Sequence, residues 1–102
     1  MQEFRDFMDM LLERPAMFLI NSVDDIYFIV LGYTYAIPNL EQYGEIVEFF
    51  NSFNNYLRQQ HDLQETTMSW HKIIRFYSST GQNSLEEFKT QFMAYSEIHF
   101  NN

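Results

Sequence analysis

Apolar residues recur at helical spacing along almost the whole chain. Over residues 2–13, Phe4, Phe7, Met8, Leu11 and Leu12 share one face, while Glu3, Asp6, Asp9 and Glu13 fall mostly elsewhere, the period of an amphipathic helix. Pro15 is expected to stop this helix, because it disfavours helical geometry at Arg14 and has no backbone N–H to donate. Ser22 is the next start signal. It is an N-cap candidate followed by Asp24 and Asp25 in the first turn, where the helix dipole favours anions. Residues 26–37, IYFIVLGYTYAI, are apolar on nearly all sides, which predicts a buried central helix. Their β-branched Ile and Val would also suit a strand, but a lone buried strand needs a partner and no other segment supplies a convincing one. Pro38 ends the run.

From about Leu40 to Gln60, Ile46, Phe50, Phe53 and Leu57 form one stripe, and Glu41, Glu45, Glu48, Ser52 and Asn55 another, as on opposite sides of a helix. HDLQETT (61–67) is a polar connector. SWHKIIRFYSS (69–79) puts Trp70, Ile73, Ile74 and Tyr77 on one face, with His71, Lys72 and Arg75 as the polar side. STGQN (79–83) reads as a turn with Gly81 as a helix C-cap. Ser84 followed by Glu87 reads as a capping box opening a last helix, with Leu85, Phe88, Phe92 and Tyr95 inward. The expected fold is all-α, a compact single-domain bundle of about five helices over residues 1–102.

Composition adds constraints to this outline. The 102 residues suffice for one domain, and eleven Phe with seven Tyr supply ample apolar area for a core. Fourteen acidic residues against six Lys and Arg give a formal charge of −8. Such a surface repels nucleic acid and anionic lipid and attracts basic proteins, so no direct nucleic-acid or membrane partner is expected. The absence of cysteine rules out disulfides and thiolate metal sites and suits a reducing, cytoplasmic setting. The first residues, MQEFRDFMDMLLE, are acidic and amphipathic, unlike a signal peptide. The most apolar run is about a dozen residues long, short of the ~20 that span a bilayer.

No constellation points to catalysis. His61, His71 and His99 match no common zinc spacing, and each is expected to be an ordinary surface histidine. Gly32, Gly44 and Gly81 form no phosphate-cradling loop. Asp24 and Asp25, adjacent on a helix, point in different directions and cannot converge on a metal alone. No enzyme activity, cofactor or metal is therefore expected.

Charge distribution is the remaining signal. Between Arg14 and Arg58 every charged residue is acidic: Asp24, Asp25, Glu41, Glu45 and Glu48. Like charges at i, i+4 cost a few tenths of a kcal/mol per pair, and Tyr27, Tyr33, Tyr35 and Tyr43 cluster in the same interval. Two readings stay open, a solvated acidic face and a surface for a basic partner. On the second, tyrosines anchor and carboxylates steer, and the partner-binding candidates are Asp24, Asp25, Tyr27, Glu41, Tyr43, Glu45 and Glu48.

The segments ERPAMFL (13–19) and SVDDIYFIVLGYTYA (22–36) resemble a group of small bacterial proteins. These share an R-P-x-M-[FY]-L motif after a first helix and an apolar helix bearing Gly-Tyr. Trp70 to Ile74 and Ser84 to Phe88 resemble that group's later W-x-x-I-I and S-x-x-x-F helices. The group is similar to immunity proteins of polymorphic toxin systems, including contact-dependent growth inhibition. The resemblance implies a cytoplasmic, antitoxin-type protein that neutralises a cognate toxin, a basic nuclease-type domain, by protein–protein occlusion. The alternative is an acidic helical adaptor or regulatory domain that binds another basic protein. The matched residues carry structural expectations: Arg14 caps carbonyls or pairs with an acid of the first helix, Met17 and Phe18 pack, and Gly32 permits close helix contact.

Overall fold

The computed structural model describes residues 1–63 and 68–101. It contains five α-helices: α1 (Gln2–Glu13), α2 (Val23–Ala36), α3 (Leu40–Gln60), α4 (Trp70–Phe76) and α5 (Gly81–Phe100), with a single 3-10 turn, Pro15–Phe18, after α1. There is no strand among the described residues, and the run 26–37 is helical as far as Ala36. Of the connector 61–67, residues 64–67 lie outside the described residues. The radius of gyration is 13.2 Å, that of a chain of about 100 residues folded around one core.

Helix boundaries follow local chemistry, though not always that expected. Pro15 opens the 3-10 turn at its first position, where its missing N–H costs nothing. The turn closes with Leu19 in the left-handed region at φ 57°. The Leu19 N–H bonds to the Ala16 carbonyl and the Ile20 N–H to the Pro15 carbonyl. α3 ends in the same way. Asp62 takes φ 53°, and the N–H groups of Asp62 and Leu63 reach back to the carbonyls of Gln59 and Arg58. Both are Schellman closures in which the residue after the left-handed one is apolar. Ile20 is buried as a result, while Leu19 stays exposed.

Gly81 does not cap a helix C-terminus; it is the first residue of α5, and no glycine among the described residues has positive φ. The N-cap of α5 is Thr80, whose hydroxyl accepts the Asn83 N–H at 3.0 Å. Ser84 is likewise not an N-cap. It lies fully buried inside α5, and its Oγ accepts the Val23 N–H at 3.0 Å while donating to the Gly81 carbonyl. A serine of the last helix thus satisfies an orphan donor in the first turn of α2. Glu87 bonds with the Gln91 side chain instead of reaching back. A Cβ on Gly81 would sit 3.4 Å from the Ser22 Cβ, because the starts of α2 and α5 are packed together.

The core is aromatic. α3 buries Ile46, Phe49, Phe50, Phe53 and Leu57, and α5 buries Leu85, Phe88 and Phe92, with Tyr95 partly buried. α4 packs against α2, α3 and α5 and contributes Trp70, Ile73 and Ile74. α1 is pinned through its side chains: Phe4 lies edge-on to Phe50 at 5.9 Å, Phe7 stacks on Tyr33 at 4.6 Å, and the Arg5 guanidinium sits 4.3 Å above the Phe100 ring.

The structure corrects four packing expectations. Tyr77 is exposed rather than core, because α4 ends at Phe76 and Tyr77 turns to stack on His61 at 3.9 Å. Gly32 makes no close helix contact, since a Cβ there would meet nothing within 4 Å. It sits on the solvent side of α2. The α2 helix is not buried all round; Val23, Ile26, Val30 and Thr34 are buried and Tyr27, Ile29 and Tyr33 are partly covered, while the remaining apolar side chains face out. Finally, Met17 and Phe18 do not fill the core, because the 3-10 turn directs Ile20 inward and leaves residues 15–18 outside. Met17→Ala should therefore shift stability by no more than about 0.5 kcal/mol, the usual scale for surface changes. A chemical denaturation curve displaced by several times that amount would show that Met17 is covered after all.

Candidate functional site

The consequence of a one-sided α2 is an apolar face turned to solvent. On α2, Phe28, Leu31 and Tyr35 follow one another at i, i+3 and i+7 and are exposed, Tyr35 by 75%. On α3, Leu40, Tyr43 and Val47 repeat the spacing and are also exposed, Leu40 by 83%. The two helices form a hairpin through a short link at 37–39. Ile37 is held extended at ψ 123° before Pro38, and the Asn39 side chain caps α3 by accepting the Gln42 N–H at 3.1 Å.

Between the two stripes lies a groove of about 180 Å³. Its walls include Leu31 and Tyr35 from α2 and Tyr43 and Val47 from α3; Val30, Thr34, Ile46, Phe50 and Trp70 close it from the core side. Thr34 adds no free polar group to the lining, since its hydroxyl donates to the Val30 carbonyl at 2.7 Å. Trp70 stacks on Phe50 at 4.9 Å and meets Tyr27 at 5.6 Å. Chemically, this arrangement can desolvate an apolar group between tyrosine rims.

The structure brings together only part of the predicted site. Tyr27 and Tyr43 line the groove, Tyr27 half-buried and Tyr43 exposed. Asp24 lies four residues before Phe28 and seven before Leu31, hence on the same stripe of α2. Asp25 is committed to structure: its carboxylate accepts the N–H groups of Asn21 at 2.7 Å and Ser22 at 3.3 Å. Glu41 and Glu48 are exposed, and Glu48 neighbours Asn51 at the groove margin. Glu45 turns away, with the Met1 ammonium 3.5 Å from its carboxylate. None of the three lines the groove: they share a side of α3 turned away from Tyr43, Ile46, Val47 and Phe50, and Glu41 and Glu45 border a separate cleft with Met1, Gln2 and Glu3.

Phe28, Leu31, Tyr35, Leu40 and Val47 were missed as candidates. The available signal was that residues 26–37 are apolar all round. A bundle of this size covers a short helix on one side, so such a helix must leave an apolar stripe outside.

His71 also departs from expectation. It is buried, with its ring 3.7 Å from that of Tyr27 and nearly parallel, and with Nδ1 2.8 Å from the Ser69 hydroxyl. Removal from water pushes its pKa below the ordinary 6.5; nearby Asp24 opposes that shift and Lys72 reinforces it. In the folded protein the neutral ring is favoured, so below pH ~6.5 the unfolded chain binds more protons. The stability His71 contributes is present above that pH and is lost as pH falls through the lowered folded value. His71→Phe, which keeps a ring against Tyr27, should flatten the melting temperature profile between about pH 7 and 5 relative to wild type. Superimposable profiles would show that His71 does not titrate against folding.

Among the described residues no group of three or more His, Asp or Glu is placed to hold a metal ion, and no helix is long and apolar enough to cross a membrane. No family model matches the chain, and neither the curated proteins nor the solved structures contain a match.

Proposed function

We propose that this chain is a cytoplasmic, antitoxin-type immunity protein that binds and neutralises a cognate bacterial toxin by protein–protein occlusion, without catalysis of its own. The observation that carries this proposal is the uncovered apolar face of the α2–α3 hairpin, flanked by Asp24 and Glu48 in an interval without lysine or arginine. Exposed apolar patches rimmed by polar residues are typical of protein interfaces, and unpaired carboxylates around one select for a basic partner. A nuclease-type toxin, with a basic substrate cleft, has that complementarity. The resemblance around ERPAMFL supports the same class.

The test is co-expression with the product of the adjacent reading frame in a sensitive bacterial host. Growth rescue together with co-elution of the two proteins is the expected result. A toxic neighbour that this protein neither rescues nor binds would sink the immunity assignment.

The acidic side of α3 has its own kinetic signature. Replacing Glu41, Glu45 and Glu48 with glutamine should slow toxin association about tenfold at low ionic strength and flatten its salt dependence, with little change in dissociation. The fold should be retained or slightly stabilised, because like-charge repulsion is removed. Surface plasmon resonance at two ionic strengths reads this directly. Unchanged association at low salt would make the stripe mere solvation.

A further inference from the structure

Beyond the existence of a protein partner, on which it rests, the geometry points to the chemistry of what the partner inserts. We infer that the α2–α3 groove is an anchor pocket for one bulky apolar side chain, carried on a lysine- and arginine-bearing segment of the partner.

The size of the groove sets the anchor. At about 180 Å³ it falls below the roughly 300–1,000 Å³ of small-molecule pockets, whereas an apolar cavity of about 150 Å³ accepts a benzene ring. One aromatic or large aliphatic side chain fits: the buried Thr34 hydroxyl is already bonded to the Val30 carbonyl, and Asn51 adds its amide to the lining only at an exposed position. Binding hot spots have this form, a single large side chain desolvated in a pocket among contacts that exclude water. Leu31, Tyr35, Tyr43 and Val47 provide those surrounding contacts.

Charge decides what carries the anchor. Asp24 lies on the α2 stripe and Glu48 follows Val47, in a stretch between Arg14 and Arg58 that contains no lysine or arginine. A second copy of this chain docked on the same face would bring these carboxylates against their equivalents. A segment bearing Lys or Arg on either side of its anchor meets them with opposite charge.

Trp70 is the single tryptophan of the chain and lines the pocket, so its emission reports occupancy. The probes are tryptophan-free synthetic amphipathic peptides: one with lysines flanking a central phenylalanine, one with that phenylalanine replaced by alanine, and one with glutamate in place of lysine. The lysine–phenylalanine peptide should give a saturable change in Trp70 emission. Each of the other two should bind at least about tenfold more weakly, the scale of a lost hot spot. In the double variant Tyr35→Ala, Val47→Asn, both at exposed positions, circular dichroism should be unchanged and the emission response lost.

Equal binding by the glutamate peptide, or an undiminished response in the double variant, would overturn the inference. So would a complete lack of response, or a concentration-dependent dimer in sedimentation that the double variant abolishes, since the groove would then belong to a second copy. The rescue assay separates this inference from the immunity proposal. Rescue by the double variant as efficiently as by wild type removes the pocket but not the immunity role. Peptide binding without rescue removes the immunity role but not the pocket.

Discussion

Phe53→Ala is expected to cost about 3–5 kcal/mol of folding stability, whereas Phe28→Ala should cost about 0.5 kcal/mol or less. Both are phenylalanines within apolar helical runs, but their surroundings differ entirely. Phe53 is completely buried, with the rings of Phe88 and Trp70 at 6.0 Å and Tyr95 at 5.7 Å. Truncation there removes the transfer energy of the ring and leaves a void that α3, α4 and α5 cannot all close. For a domain with roughly 5–15 kcal/mol in total, that loss brings the chain close to unfolding. Phe28 is 65% exposed on α2, so its removal empties nothing. Urea unfolding of both variants measures the difference directly, provided the slopes match wild type. A large loss at Phe28 would mean that the outer side of α2 is covered, and the candidate interface with it.

The second large effect is expected at a residue that looks unimportant in the sequence. A serine inside a helix is normally improved by alanine, which has the better helix propensity. Ser84→Ala should instead destabilise by about 1–3 kcal/mol, because the Val23 N–H would lose its buried acceptor without gaining water. Ser84→Thr retains a hydroxyl but adds a methyl at a fully buried position, so it should recover only part of the loss. Thr80→Ala provides the local comparison: it removes an ordinary N-cap on α5 and should cost about 1 kcal/mol. Amide exchange at Val23 should accelerate in Ser84→Ala and not in Thr80→Ala. If Ser84→Ala is neutral or stabilising, the tertiary cap between α5 and α2 carries no energy.

What local chemistry can express was legible in the sequence. The helical class, the stop at Arg14-Pro15, the start at Ser22 with acids behind it, the break at Pro38 and the inward stripe Ile46, Phe50, Phe53, Leu57 all depend on residues within one or two turns of each other. Asp25, which accepts the Asn21 and Ser22 N–H groups, is of this kind. Its neighbour Asp24 matches it in type and in position near a helix start, yet only the fold brings it close enough to act on the charge of His71.

The remaining features depended on neighbours distant along the chain. Ser84 resembled an N-cap because a serine three residues before a glutamate carries no record of Val23, sixty-one positions earlier. His71 looked like a surface residue because its cover, Tyr27, belongs to another helix. The candidate site was half legible for the same reason. Composition exposed the acids and the tyrosines, but a stripe such as Phe28, Leu31 and Tyr35 reads identically whether a helix packs over it or not. Apolar periodicity specifies which residues share a face. Only the placement of α4 beneath the α2–α3 hairpin, with nothing among the described residues above it, decided that this face remained outside.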